Sequence, residues 1–101
     1  INANGASDYT FSGPGFPTTQ NDPTIYVTRG ATYAFDNSVQ AGAHPFRIQS
    51  SQGLSGTPYT SGQSGSGSSV LYWTVPMDAP TTLYYQCTIH AAMNGTINVV
   101  S

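Results

Sequence analysis

Apolar and polar residues alternate along most of this chain in short runs, and clusters of Gly, Pro, Asn and Asp separate the runs. A period of two marks a strand with unlike faces, whereas a helix needs apolar residues every three or four positions, and that spacing is almost absent. The pattern predicts strands near Ser7–Phe11, Thr24–Thr28, Thr32–Asp36, His44–Gln49, Ser69–Val75, Thr81–Cys87 and Gly95–Val100. Tyr33 and Phe35 alternate with Thr32 and Ala34, and Leu71, Trp73 and Val75 alternate with Val70, Tyr72 and Thr74. His44, Phe46 and Ile48 share one face of their run, with Pro45, Arg47 and Gln49 on the other. Leu83, Tyr85 and Cys87 oppose Tyr84 and Gln86, which therefore read as sheet-surface residues. Ile97 and Val99 complete the apolar set, and the alternation turns His44 and Cys87 inward.

The punctuation agrees with an all-β sandwich or barrel of about seven to eight strands. Arg29-Gly30 reads as a hairpin connection, Asp36-Asn37-Ser38 ends a strand, and Pro76 and Pro80 bracket a turn into the cysteine-bearing strand. The stretch Ser50–Ser68 is rich in Gly and Ser. As a linker it would leave two halves too small to fold alone, so it reads as a long surface loop in a single domain spanning 1–101. No internal repeat is visible.

Composition narrows the functional classes. The chain has 101 residues, 38% hydrophobic and 12% aromatic, enough for one compact core. Charged residues are only 6%, against roughly 25% in an ordinary soluble domain. Lys and Glu are missing altogether, and the formal net charge is -2. With no basic stripe to neutralise phosphates, nucleic acid is not expected as a partner. Schiff-base and phosphate-loop lysine chemistry is excluded. Asp8, Asp22, Asp36 and Asp78 stand in turn-like contexts and read as turn formers. No apolar run approaches the roughly 18 residues of a membrane span, and Ile1 reads as a mature or excised start. Two His, one Cys and two Met remain as the reactive residues.

Those residues are not scattered. Leu83–Gly95 contains Cys87-x-x-His90-x-x-Met93 directly after one strong strand and before another. A soft thiolate, an imidazole and a thioether within one tight turn suit copper. His44, at the start of an inward-facing strand, offers a second imidazole. His44, Cys87 and His90 are expected to form a trigonal set with Met93 as a long axial ligand, the blue-copper arrangement. Separately each residue has a plain reading: a buried Cys as a small hydrophobe, a hydrogen-bonded His, a Met filling the core. Jointly those readings weaken, because the one Cys and both His fit a single site. Ligation also gives a role to an odd cysteine that is otherwise a liability in an exported chain. Met77 is a weaker axial candidate, in a turn before the cysteine strand, and Asn94-Gly95-Thr96 matches a glycosylation sequon but reads as a turn.

Ala43-His44-Pro45-Phe46 and Tyr84-Tyr85-Gln86-Cys87-Thr88-Ile89-His90-Ala91-Ala92-Met93 followed by Gly95-Thr96-Ile97 together resemble the cupredoxins, the small blue-copper proteins that include plastocyanin, pseudoazurin and amicyanin. The short His90-to-Met93 spacing is similar to amicyanin's loop. The resemblance implies a Greek-key sandwich and one copper ion cycling between Cu(I) and Cu(II). It also implies a one-electron carrier rather than an enzyme, monomeric, in the periplasm, outside the cell or at its surface, and either whole or a module of a larger exported protein. Tyr85, Phe46, Phe35 and Trp73 are expected beneath the site, with Pro45, Phe46, Tyr85 and Ile89 as its supporting neighbours. His44 should be buried and the edge of His90 should reach the surface. Pro45, His90, Ala91 and Ala92 would then form an uncharged apolar patch where a redox partner protein docks. One departure stands out. In the family the residue after the upstream histidine commonly donates its backbone N–H to the copper-bound sulfur, and Pro45 has none, which leaves the amide of Ile89 as the corresponding donor. The loss is expected to lower the reduction potential, unless Pro45 serves only to end a strand edge.

Two other functions fit the same residues. One is an extracellular non-redox binding or adhesive module, with structural copper or none, suggested by the charge-poor Ser/Thr/Gly/Asn-rich composition. The other is copper storage or delivery. Enzymes with a second copper site need more histidines than two, a dinuclear centre needs a second Cys, and a Glu-ligated variant needs a Glu.

Overall fold

Alternation along each run becomes alternation of burial. In β4 (Ile25–Thr28) and β8 (Val70–Thr74) buried apolar residues take turns with exposed ones. The computed structural model describes residues 1–4, 8–13, 16–40 and 43–101. Among them are ten strands and one turn of 3-10 helix at Ser38–Gln40. The other strands are β1 (Asn2–Asn4), β2 (Asp8–Gly13), β3 (Phe16–Asn21), β5 (Thr32–Asp36), β6 (Phe46–Gln49), β7 (Gln63–Gly65), β9 (Thr82–Cys87) and β10 (Asn94–Val100). No helix among the described residues is long and apolar enough to cross a membrane.

The strands form an all-β sandwich. One layer is the four-stranded sheet β4-β10-β9-β6, in which β10 runs parallel to β4 and antiparallel to β9. Facing it are the antiparallel sets β5-β8-β7 and β1-β2-β3. One aromatic cluster draws on all three sets. Phe46 of β6 stacks on Tyr85 of β9 at 5.6 Å and on Phe35 of β5 at 5.3 Å. Tyr9 and Phe11 of β2 meet Phe46 edge-on at 5.5 and 6.2 Å, a preferred arrangement for ring quadrupoles. Trp73 is fully buried, but its ring partner among the described residues is Tyr59, and its indole N–H donates to the Ser61 carbonyl.

Arg29-Gly30 is a turn, with Gly30 at φ 84°, but β4 and β5 do not pair: the chain crosses from one layer to the other there. Turn residues alone do not distinguish a hairpin from a crossing between layers. The upstream strand starts at Phe46, so His44 lies in the turn before it. The segment 50–68 is not wholly loop, because Gln63–Gly65 pairs with β8. Its polar and glycine residues carry no alternation to announce a strand. At the amino end β2 is flanked by β1 and β3, neither of which shows an apolar period, and the expected start at Ser7 lies outside the described residues. Gln86 and Gln49, placed on outer faces by period two, are both fully buried.

Candidate metal centre

The site stands at one end of the four-stranded sheet, where β6 begins and β9 stops. Phe46 and Cys87 are register partners, so the turn carrying His44 and the loop carrying His90 lie side by side. Three ligand atoms converge there. Nδ1 of His44 is 3.1 Å from Nδ1 of His90, and Sγ of Cys87 is 3.9 Å from the first and 3.6 Å from the second. His44 and Cys87 are buried and His90 is half-buried.

Whether a metal fits is a question of the triangle's size. The point equidistant from three atoms so spaced lies about 2.1 Å from each, against roughly 2.0–2.1 Å for a zinc–imidazole bond and about 2.3 Å for a zinc–thiolate bond. The residues fit a metal ion with almost no movement. One thiolate and two imidazoles suit copper and zinc alike. The same geometry also serves a metal-free state, in which one imidazole donates its Nδ1–H to the other ring.

Each ligand segment is held by its own set of hydrogen bonds. The His44 carbonyl accepts from Asn37 Nδ2 at 2.7 Å and from the Tyr9 hydroxyl at 2.8 Å. The same hydroxyl lies 2.9 Å from the Pro45 carbonyl, which also accepts the Thr88 amide, joining the two ligand segments directly. Asn37 Nδ2 also donates to the Gly67 carbonyl, which accepts from the Phe46 amide as well. A Cβ at Gly67 would run into the Phe46 backbone, so the turn before β8 lies tight against the start of β6 and a glycine is needed there. On the other segment, the Cys87 amide donates to the Met93 carbonyl and the Met93 amide to the His90 carbonyl. Gln86 Nε2 donates to the carbonyls of Cys87, His90 and Ala91.

Two buried side-chain atoms among the described residues lack a partner: Asn37 Oδ1 and Gln86 Oε1. Each is the far end of a carboxamide whose nitrogen is committed to ligand-bearing backbone. The local electrostatics follow burial. Burial, then the charge of His90, lowers the pKa of His44. Burial, then the charge of Cys87, raises that of Tyr9, and burial does the same for Tyr85, with Asp22 adding to it.

Met93 is fully buried at the close of the ligand loop. Phe46 and Tyr85 pack beneath the site. Pro45 is half-buried, Ala91 and Ala92 are exposed, and Ile89 is 52% exposed. Among the described residues no backbone amide, that of Ile89 included, donates to Cys87 Sγ; its polar neighbours are the two Nδ1 atoms and the Tyr9 hydroxyl. Met77 lies in the turn between β8 and β9, with its sulfur beside Gly30. The sequon Asn94-Gly95-Thr96 is not a turn but the start of β10, paired with Gln86, Tyr85 and Tyr84, and Asn94 Nδ2 donates to the carbonyls of Ala91 and Ala92. Tyr9, Asn37 and Gln86 are the contributors that the sequence reading missed. The available signals were a glutamine beside Cys87, an asparagine just after β5 and an aromatic on a distant strand, and none is specific.

Compared with known proteins, the chain matches no family model, no curated protein and no solved structure.

Proposed function

We propose that this chain is a one-electron carrier built around a single copper ion, of the cupredoxin type. The observation that carries the reading is the Nδ1–Sγ–Nδ1 triangle, with sides of 3.1, 3.6 and 3.9 Å, at the end of an all-β sandwich. Copper held there by His44, Cys87 and His90 supplies exchange of one electron between Cu(I) and Cu(II). Copper is favoured over zinc by the trigonal His₂Cys set and by the thioether of Met93 buried in the same loop. The chain's own part is to keep still. Ligands tied to a packed aromatic cluster and to each other's backbone move little when charge changes, which suits electron transfer.

The His44, Cys87 and His90 group is the one cluster of its kind among the described residues, and the chain has no third histidine for a second copper site. We read it as a carrier rather than an enzyme. The half-buried edge of His90, with Pro45, Ala91, Ala92 and the exposed Ile89 around it, supports docking of a redox partner protein at this end. An exported location suits a copper thiolate with no second cysteine. Visible and paramagnetic-resonance spectra after Cu(II) addition test the reading.

A further inference from the structure

We propose that Gln86 is the positioning residue that holds the ligand loop Cys87–Met93 closed before any metal arrives. The inference rests on reading His44, Cys87 and His90 as metal ligands. Period two puts residue 86 on the face opposite Cys87, where a glutamine ordinarily meets water, yet Gln86 is fully buried. Its Nε2 lies 3.0 Å from the Cys87 carbonyl, 3.0 Å from the His90 carbonyl and 3.3 Å from that of Ala91. Three carbonyl oxygens around one end of the amide fix the nitrogen there, and two hydrogens are shared among three acceptors.

No other side chain among the described residues spans both ligands of the loop in this way. The Asn94 carboxamide reaches only Ala91 and Ala92. The Cys87 and Met93 amides close the loop along its own backbone. Gln86 ties the carbonyl of Cys87, on the strand, to that of His90, three residues on, and so fixes the 3.6 Å separation of Sγ and Nδ1. The other end of the amide, Oε1, is buried and has no protein partner. Without the clamp, Cys87 stays on β9 while the His90 carbonyl keeps only the Met93 amide and the Ala91 carbonyl only the Asn94 carboxamide, so the loop is held less tightly to the strand.

The clamp is tested on the metal-free protein, so its failure and the failure of the copper reading are separable. In wild type, the side-chain amide hydrogens of Gln86 should exchange with solvent at least about tenfold more slowly than those of the exposed Gln52, as followed by NMR. In Gln86→Met and Gln86→Glu, neither of which offers an amide donor, iodoacetamide should alkylate Cys87 at least about tenfold faster than in wild type, with the near-ultraviolet signal of buried Trp73 reporting an intact fold. Copper-loaded Gln86→Met should also show a shifted thiolate-to-copper absorption band, which a purely structural role would leave in place. Exchange of Gln86 at the rate of Gln52, or an unchanged alkylation rate in a folded variant, overturns the proposal. Should neither variant fold, the wild-type exchange measurement decides it.

Discussion

Nδ1 of His44 lies 3.1 Å from Nδ1 of His90, although 46 positions separate the two residues in the chain. One ring comes from the turn before β6 and the other from the loop after β9, and they meet through the same atom. Burial, then the His90 charge, holds His44 below its ordinary value of 6.5. As pH falls below 6.5 the unfolded chain therefore gains its proton before the folded one does. The stability of the metal-free protein should be fully present above that value and decline as pH drops through the range beneath it. Urea midpoints at about pH 7.5 and about pH 5 check this, and His44→Gln should flatten the difference. Equal wild-type midpoints would contradict it. Asp36 acts in a lower window: hydrogen bonds from Ser38 hold its carboxyl below 3.8, so its contribution is lost only in more acid solution.

Gly95 is required by its partner across the sheet. It faces Tyr85 in the β9–β10 register, and a Cβ there would collide with the Tyr85 ring and hydroxyl. The ring cannot withdraw easily, because its hydroxyl donates to the Pro23 carbonyl at 2.6 Å and its face stacks on Phe46. Gly95→Ala should destabilise the fold by about 1–3 kcal/mol in chemical denaturation. Combined with Tyr85→Phe, which removes the anchoring hydroxyl, its penalty should shrink, and strictly additive effects would count against the steric account.

Pro45 leaves the thiolate without a backbone donor on the His44 side, and no amide among the described residues takes its place. The Pro45 carbonyl, by contrast, is fully used by Thr88 and Tyr9. Pro45→Ala keeps that carbonyl and adds an N–H near Cys87. A hydrogen bond to sulfur stabilises the electron-rich reduced site, so voltammetry of the copper-loaded variant should show a higher potential than wild type. An unchanged potential and visible spectrum would reduce Pro45 to a strand-edge residue.

The residues proposed to dock a partner carry no formal charge. Pro45, Ala91, Ala92 and Ile89 surround His90, and the whole chain has only six Asp and Arg residues. Encounter with a redox partner there should rely on apolar contact rather than steering. Raising ionic strength tenfold from low salt should change the bimolecular electron-transfer rate by less than about twofold. A steep fall would place the docking surface elsewhere.

Much of the site was legible because its signal is local. Cys87 and His90 lie within four residues, and period two turned Cys87 inward. The sandwich followed from alternation in β4, β5, β8 and β9. What escaped was the support. Asn37 read as a turn former, yet it holds the His44 and Gly67 carbonyls through contacts seven and 30 residues away. Tyr9 reaches across from β2 to carbonyls 35 and 36 positions on, which no spacing rule reports. Gln86 was assigned to the wrong environment because the rule assumes that a strand's second face meets solvent. Here the ligand loop folds back over that face and its carbonyls need a donor.

Addition of Cu(II) to the wild-type protein and to Cys87→Ser, followed by visible and paramagnetic-resonance spectra, tests the copper account most directly. The account predicts stoichiometric binding with an intense thiolate-to-copper absorption in wild type and its complete loss in the serine variant. A wild-type protein that stays colourless with saturating Cu(II), or a serine variant that keeps the band, would contradict it.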